Sequence, residues 1–178
     1  MSDSVRHAQA SNWPPHSDST DQIQLERFFT YRLNLLSNML NRQAERFLNQ
    51  KFGISLPDWR LIAILGRFQE MSVRDLSAFS QMDKALVSRT AARLVKRDLV
   101  SSQPHPTDRR LVLLSLTPAG QQMHQAIIPL ARARQQKLHD CLPAEEWRVL
   151  DQALNKLIGF AETIEKRHRD GNSESLIF

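Results

Sequence analysis

The stretch RDLSAFSQMDKALVSRTAARL, residues 74–94, contains two short helical patterns that lie a few residues apart. Ser72 and Asp83 are the predicted N-caps of these helices, because their side chains can accept hydrogen bonds from the free amides of a first helical turn. The apolar positions predicted to pack the two helices together are Leu76, Met82, Val87 and Leu94. The opposite face of the second helix carries Lys84, Ala85, Ser88, Arg89 and Ala92. The pattern predicts a helix-turn-helix whose second helix keeps one face free for a partner.

A second stretch, HPTDRRLVLLSLTPAG at residues 105–120, predicts a β-hairpin directly after the helix-turn-helix. Strand-forming residues 99–103 and 111–116 flank a tip that two prolines restrain and that carries Arg109 and Arg110. Arginines on such a loop suit the narrow minor groove of DNA, where negative potential is strongest. Asp108 would repel phosphates, so we expect it to orient a neighbouring arginine. The hairpin is therefore predicted to be a DNA-reading wing; a plain exposed hairpin turn is the alternative.

Helical patterns continue on both sides of this region. A first helix is predicted from a cap among residues 19–21 to about Gly53, and a second opens at Ser55 or Leu56 before Pro57. After the hairpin, Thr117 and Pro118 fit the cap and first turn of a long helix, and Pro143 opens the last helix. Apolar residues of the last helix recur at spacings of three and four: Trp147, Leu150, Leu154, Leu157, Ala161 and Ile164. A stripe this narrow is typical of a helix–helix seam.

The predicted fold class is therefore mainly α with a small β-hairpin wing: a winged helix-turn-helix plus a helical dimerisation region. The 178 residues are 41% hydrophobic, which is enough for one domain with a substantial core. Residues 72–117 hold eight Lys or Arg against four Asp, whereas the whole chain has a net charge of +5. The positive charge is thus concentrated in one region, as an anion-binding face requires.

Location and cofactors follow from a few absences in the sequence. Cys141 is the single cysteine, so an intramolecular disulfide and a Cys-based zinc site are excluded and a reducing compartment, the cytoplasm, is expected. The six histidines have no ligand-like spacing, and no metal or cofactor is predicted. No apolar run reaches the length of a membrane span, and the N-terminal residues lack the apolar core of a secretion signal, so no membrane partner is expected.

The predicted recognition helix divides into two groups of candidate DNA contacts. The residues predicted to face base edges in the major groove are Lys84, Ala85, Ser88 and Arg89. The residues predicted to reach phosphates are Arg93, Lys96 and Arg97. Taken alone, this helix is equally consistent with the solvated charged face of any amphipathic helix. The wing favours the DNA-binding interpretation.

The wing and the helix after it resemble a known family. The positions Asp108, Arg110, Leu114, Leu116, Thr117 and Gly120 match the DxRxxxLxLTxxG wing signature of the MarR family of bacterial transcriptional regulators. The stretch MDKALVSRTAARLVKRDLVSS, residues 82–102, resembles the recognition helix of that family, and the resemblance runs from about Leu25 to about Ile164. Asp98 departs from it, because the family usually has glycine there. Since Asp tolerates the left-handed conformation, we expect local strain and the same fold.

The resemblance implies a homodimeric DNA-binding regulator, most commonly a repressor, on a palindromic operator. It implies that residues 21–53 and 118–168 form dimerisation helices around a DNA-binding lobe, residues 55–117, with tails at 1–20 and 169–178. Half-sites would lie about 10 base pairs apart, or a multiple of that. Carried over residue by residue, Ser88 and Arg89 read bases, Arg110 enters the minor groove and Asp108 orients it, while Arg109 is adjacent but outside the motif.

The same resemblance implies release from DNA by a small aromatic acid or phenol, and a role in aromatic-compound catabolism. The candidate effector residues are Arg32, Ser37, Asn38, Asn41, Trp59 and Arg60. A guanidinium beside aromatic surface can hold a carboxylate and a ring. Individually, each residue is better explained structurally, Arg32 by pairing with an acid across the dimer and Trp59 by core packing.

Three other functions remain to be weighed. An enzyme is not expected, because the sequence has five glycines and no phosphate-binding loop, nucleophile elbow or HExxH motif. A ligand-independent architectural or counter-silencing protein would use the same basic residues on AT-rich DNA. A protein-interaction winged helix would make none of the DNA contacts. The sequence does not identify the effector, the target genes or the direction of regulation.

Overall fold

The computed structural model describes residues 24–108 and 111–169. The predicted first-helix cap at Ser19, Thr20 or Asp21, the tail residues 1–20 and 170–178, and the wing arginines Arg109 and Arg110 lie outside these residues.

Within the described residues the chain forms helices α1 to α6 and strands β1 to β3. In chain order they are α1 (Phe29–Phe52), α2 (Leu56–Phe68), β1 (Glu70–Ser72), α3 (Val73–Ser80), α4 (Lys84–Lys96), β2 (Val100–Pro104), β3 (Val112–Leu116), α5 (Pro118–His139) and α6 (Ala144–Arg169). A single 3-10 turn, Leu25–Arg27, precedes α1, and Phe28 has extended backbone. The prediction of one continuous helix from residues 19–21 to Gly53 is therefore wrong at its start, because the chain leaves the helical conformation at Phe28 and α1 begins at Phe29. The predicted class, mainly helical with a small wing, is confirmed.

The predicted helix ends are set by local hydrogen bonds. Gly53 ends α1 with a left-handed φ of 63°, which glycine adopts without a steric penalty. Ser55 and Asp58 form a reciprocal capping box at the start of α2. The Ser72 hydroxyl accepts from the Asp75 amide at 3.1 Å and caps α3, and the Asp83 carboxylate caps α4. The caps predicted at Ser72 and Asp83 are confirmed, and of the two candidates Ser55 and Leu56 it is Ser55 that caps α2.

The sheet has three antiparallel strands in the order β1-β3-β2. The predicted hairpin is present, and it aligns Val100 with Leu116 and Pro104 with Val112. Pro104, predicted to belong to the tip, is the last residue of β2. On the other side of β3, the strand β1 pairs Met71 with Leu114. The sequence analysis missed β1, because three residues are too few to show an alternating pattern.

A single apolar core holds the lobe together. The residues predicted to join the helix-turn-helix, Leu76, Met82, Val87 and Leu94, are all buried. The other buried residues of this core come mainly from α2 and the sheet: Leu61, Ile62, Leu65, Leu99, Val100 and Leu114. The helices α2 and α3 both pack against α4, the helix predicted to read DNA, and so support its buried face.

The chain divides into two compact units after Gln121. The first unit holds α1 to α4, the sheet and the start of α5, and the second holds the rest of α5 and α6. No residue of α6 is buried in the single chain. Its exposed apolar side chains include Val149, Leu150, Leu157, Ile158 and Phe160. None of the described helices has the length and hydropathy needed to cross a membrane.

Candidate nucleic-acid interface

The outer face of α4 carries small, polar and basic side chains at its N-terminal end. The positions Lys84, Ala85, Ser88, Arg89 and Ala92 are exposed, while Val87, Thr90, Ala91 and Leu94 on the other face are buried. The Asp83 carboxylate accepts hydrogen bonds from the amides of Ala85 and Leu86 at 2.9 and 3.1 Å, which fixes where the helix begins. The four residues predicted to face bases therefore lie together on an accessible surface.

Two arginines further along α4 have partners within the lobe. The Arg93 guanidinium donates from Nε and Nη2 to Asp58 Oδ1, at 3.0 and 2.7 Å, and from Nη2 to Ser55 Oγ at 3.3 Å. Arg97 Nη1 donates to the carbonyl of Gly53 at 2.8 Å. Both side chains thus bind the corner between α1 and α2. Lys96, the third residue predicted to reach phosphates, is exposed.

Asp58 is the buried centre of this corner, and sequence reasoning did not identify it as part of the site. Its side chain is only 3% exposed. One carboxylate oxygen accepts from the amide and hydroxyl of Ser55, at 2.9 and 2.8 Å, and the other accepts from Arg93. The sequence signals the capping box, since Ser55 stands three residues before Asp58. It gives no sign of an arginine 35 residues away.

The junction between α4, the wing and α5 explains part of the family signature. Asp98 has a left-handed φ of 55°, as expected for the residue that replaces glycine there. The Thr117 hydroxyl donates to the Asp98 carbonyl at 2.6 Å and accepts from the Gly120 amide at 3.1 Å. A side chain at Gly120 would collide with the carbonyl oxygen of Leu99. Thr117 and Gly120 therefore hold the end of the recognition helix against the start of α5.

The wing tip is closed by backbone hydrogen bonds on both sides of the undescribed arginines. The His105 amide donates to the Leu111 carbonyl at 3.0 Å, and the Leu111 amide donates to the Asp108 carbonyl at 2.9 Å. The predicted Asp108–Arg110 pair involves a residue outside the described part of the chain, so it stays a prediction.

The candidate effector residues are divided between α1 and α2. The structure brings three of them together: Arg60 Nη2 donates to Asn41 Oδ1 at 3.3 Å, and Asn41 Nδ2 donates to Ser37 Oγ at 3.4 Å. Asn38 instead bonds to Asn34 on its own helix at 3.0 Å. Arg32 is exposed and Trp59 is half-buried.

A further contact between the two helices was not anticipated from the sequence. The Glu45 carboxylate accepts from the Leu56 amide at 2.5 Å and so joins α1 to the first turn of α2.

Among residues 24–108 and 111–169, no group of three or more His, Cys, Asp or Glu is arranged to hold a metal ion.

The helix pair, the three-stranded sheet and the hairpin define a winged helix-turn-helix protein. A profile of the MarR family matches residues 52–111. A MarR/EmrR family transcriptional regulator from Acinetobacter sp. ADP1 is 30% identical, with a TM-score of 0.73 over 79% of this chain and 99% of its own. The chain belongs to the MarR family, and it is a transcriptional regulator and not an enzyme.

Two other proteins are similar to this chain. The HTH-type transcriptional repressor IacR of Pseudomonas putida is 24% identical over 84% of this chain and 89% of its own length. The S. aureus MepR–DNA complex, at 20% identity, has the same fold, with a TM-score of 0.71 over 75% of this chain and 98% of that one.

Proposed function

We propose that the protein is a homodimeric repressor that binds a palindromic operator and is released from it by a small aromatic acid or phenol. The observation that carries the DNA-binding part is the outer face of α4, where Lys84, Ala85, Ser88 and Arg89 are exposed while the opposite face is fixed in the core. Acting on the chromosome would place the protein in the cytoplasm.

The DNA contacts are assigned by position on the lobe. Ser88 and Arg89 read bases in the major groove, with Lys84 and Ala85 beside them, because the N-terminal part of a recognition helix approaches the base edges. Lys96 contacts a phosphate. On the wing, Arg110 enters the minor groove, Asp108 orients it and Arg109 adds charge. We assign Arg93 and Arg97 instead to holding the lobe together, since each already donates to a group in the α1–α2 corner.

The homodimer is supported by the exposed apolar residues of α1 and α6. The large apolar side chains of α1 that are substantially exposed are Phe29, Tyr31, Leu33, Leu35, Leu36, Met39 and Phe47, and Phe28 at the helix cap is exposed as well. On α6, Leu150 and Leu157 of the predicted seam are 37% and 43% exposed. Apolar surface of this extent normally marks an interface between proteins. We therefore propose that residues 21–53 and 118–168 dimerise and that residues 55–117 form the DNA-binding lobe.

The effector site is proposed where Ser37, Asn41 and Arg60 meet, with Arg32, Asn38 and Trp59 nearby in sequence. The Arg60–Asn41 hydrogen bond is 3.3 Å long and exposed, so an aromatic carboxylate could replace Asn41 as the partner of the guanidinium. A ligand that prefers one spacing of the two lobes by about 1 to 3 kcal/mol would be sufficient to regulate DNA binding. The name of the repressor IacR supports repression as the mode of action.

The decisive experiment is selection of genomic DNA fragments by the purified full chain at near-physiological salt. A few sharp palindromes are expected. Broad AT-rich occupancy without a shared motif would contradict the proposal and support an architectural protein.

Arg89→Ala should weaken DNA binding by about 1 to 3 kcal/mol and relax the sequence preference at one base pair. Arg67→Ala on α2, outside α4 and the wing, is the charge-matched control and should retain the preference.

The dimer and the effector are tested separately. Light scattering of the purified chain should give twice the mass of the 20.5 kDa chain; a monomer at micromolar concentration would refute the dimer.

For the effector, aromatic acids and phenols should release the bound DNA, whereas aliphatic acids of the same charge should not. Arg60→Gln should weaken this release without changing the affinity for the operator in the absence of ligand.

A further inference from the structure

The imidazole of His105 lies inside the turn at the wing tip, where two backbone amides point at one of its nitrogens. The amides of Thr107 and Asp108 donate to His105 Nδ1 at 3.3 and 3.2 Å. The Thr107 hydroxyl lies 3.2 Å from the same nitrogen. His105 is half-buried, so the ring faces the turn and not only solvent.

These contacts indicate which tautomer of the ring fits the turn. A backbone amide can only donate, so Nδ1 accepts in these hydrogen bonds, as it does in the tautomer with its proton on Nε2. Asn and Asp side chains make the same kind of bond when they accept from backbone amides further along a turn. In histidine, Nδ1 is separated from Cβ by the same number of bonds as Oδ1 is in asparagine. The His105 ring therefore accepts hydrogen bonds from the backbone of this turn in the way that an asparagine side chain does in other turns.

The hydrogen bonds of His105 continue to the two ends of the arginine pair. The Asp108 amide is held by the ring, and the Asp108 carbonyl accepts from the Leu111 amide at 2.9 Å. The backbone of His105 is in turn bonded to the Leu111 carbonyl at 3.0 Å. Asp108 and Leu111 are the residues that directly precede and follow Arg109 and Arg110. The ring thus holds the backbone of Asp108, the residue before the arginine pair, while backbone hydrogen bonds hold Leu111, the residue after it.

We propose that His105 is a positioning residue of the wing: its neutral imidazole holds the turn that presents the arginine pair to DNA, without contacting DNA itself. This inference rests on the proposed role of the wing in DNA binding. It assigns a specific function to a side chain that neither the wing signature nor the recognition helix includes.

The test compares three substitutions in the full chain, with the duplex most enriched by selection as the probe. His105→Ala and His105→Gln should each weaken binding by about tenfold, since the former removes the acceptor and the latter moves it one bond further out. His105→Asn should retain most of the affinity, because it restores an acceptor at the same distance from Cβ. An asparagine variant as weak as the alanine variant would overturn the proposal, since the ring would then act by a contact of its own.

Combining His105→Ala with Arg110→Ala separates this inference from the proposed function. If His105 acts through the arginine pair, its substitution should have little further effect once Arg110 is removed. If Arg110→Ala alone leaves binding unchanged, the proposed wing contact is wrong and the inference falls with it. If Arg110→Ala weakens binding and His105→Ala does not, only the inference is wrong.

A spectroscopic measurement on the free protein tests the geometry independently of DNA. Nitrogen-15 NMR of the His105 ring at neutral pH should give the tautomer protonated on Nε2, with Nδ1 in its acceptor state. A ring protonated on Nδ1 would contradict the hydrogen bonds from Thr107 and Asp108, and with them the proposal. Far-ultraviolet circular dichroism of each variant verifies that the lobe remains folded.

Discussion

The ion pair between Asp58 and Arg93 makes Arg93→Met an informative substitution. Methionine retains much of the apolar length of the arginine side chain but removes the guanidinium. The carboxylate of Asp58 is buried, and Arg93 Nη2 lies 2.7 Å from its Oδ1. The substitution would leave that carboxylate with its bonds to Ser55 and without a countercharge. We therefore expect a loss of stability and not only a loss of DNA affinity.

The size of the loss follows from the hydrogen bonds and their exposure. Removing one partner of a fully buried ion pair costs about 3 to 5 kcal/mol. The Arg93 side chain is 45% exposed, so solvent screens part of the interaction and the lower end of that range applies. Two charge-assisted hydrogen bonds at about 1.5 kcal/mol each give the same figure. We expect Arg93→Met to lower the free energy of unfolding by about 3 kcal/mol.

The assay is urea unfolding at a fixed protein concentration, with Arg89→Met as the matched control. Arg89 lies on the same helix, is exposed, and has no ion pair with any of the described residues. Its substitution should change stability by no more than about 0.5 kcal/mol. Asp58→Asn should lower the free energy of unfolding by a similar amount. An amide has only one acceptor oxygen, so it cannot accept from Ser55 through one oxygen and from Arg93 through another.

The opposite outcome has a clear signature. If Arg93 contacts a phosphate, as its position on the recognition helix suggests, Arg93→Met would leave stability unchanged. It would then lower the slope of log K against log salt concentration by about one. That combination would refute the assignment of Arg93 to the α1–α2 corner.

Three further substitutions test the packing of the lobe. Thr90→Val should raise the free energy of unfolding by about 1 kcal/mol, because the Thr90 hydroxyl is fully buried and has no hydrogen-bond partner among the described residues. If urea unfolding shows a lower free energy instead, the hydroxyl is hydrogen-bonded. Gly120→Ala should prevent stable folding, because the added Cβ would clash with the carbonyl group of Leu99. The control Gly159→Ala has open space around the added Cβ, so it should leave stability unchanged or raise it. Asp98→Gly should raise the thermal midpoint, by up to about 1 kcal/mol in stability, because it relieves a left-handed residue; a lower midpoint would mean that the Asp98 side chain makes a stabilising contact.

The sequence predicts those parts of the fold that depend on short-range chemistry. The caps at Ser72 and Asp83 and the end of α1 at Gly53 each arise from a side chain or glycine and the few residues beside it, and the structure confirms them. The same reasoning narrows the start of α2 to Ser55 or Leu56, and the structure selects Ser55. The split of α4 into a buried and an exposed face follows from helical periodicity. The presence of the hairpin likewise follows from its strand-forming residues and bounding prolines.

The intramolecular hydrogen bonds of Arg93 and Arg97 could not be predicted from such short-range patterns. A periodic pattern indicates that Arg93 and Arg97 leave the apolar face, but it does not distinguish solvent, phosphate and a carboxylate elsewhere in the chain. Asp58 precedes Arg93 by 35 residues, and Arg97 bonds to the backbone of Gly53, which has no side chain to signal it. These contacts exist only because α2 packs against α4, and that packing is a property of the fold.

The division of basic residues along α4 has a consequence for how DNA binding should depend on salt. Each phosphate contact contributes about 0.9 to the slope of log K against log salt concentration. A count of basic residues from the sequence includes Arg93 and Arg97, and so overstates that slope by about two per chain if both are engaged within the lobe. The same two arginines hold the C-terminal half of α4 on the α1–α2 corner, and the proposed effector residue Arg60 lies on α2, one of the two helices that form it. A ligand that displaced this corner would therefore move the recognition helix directly, without needing any contact with the residues that read DNA.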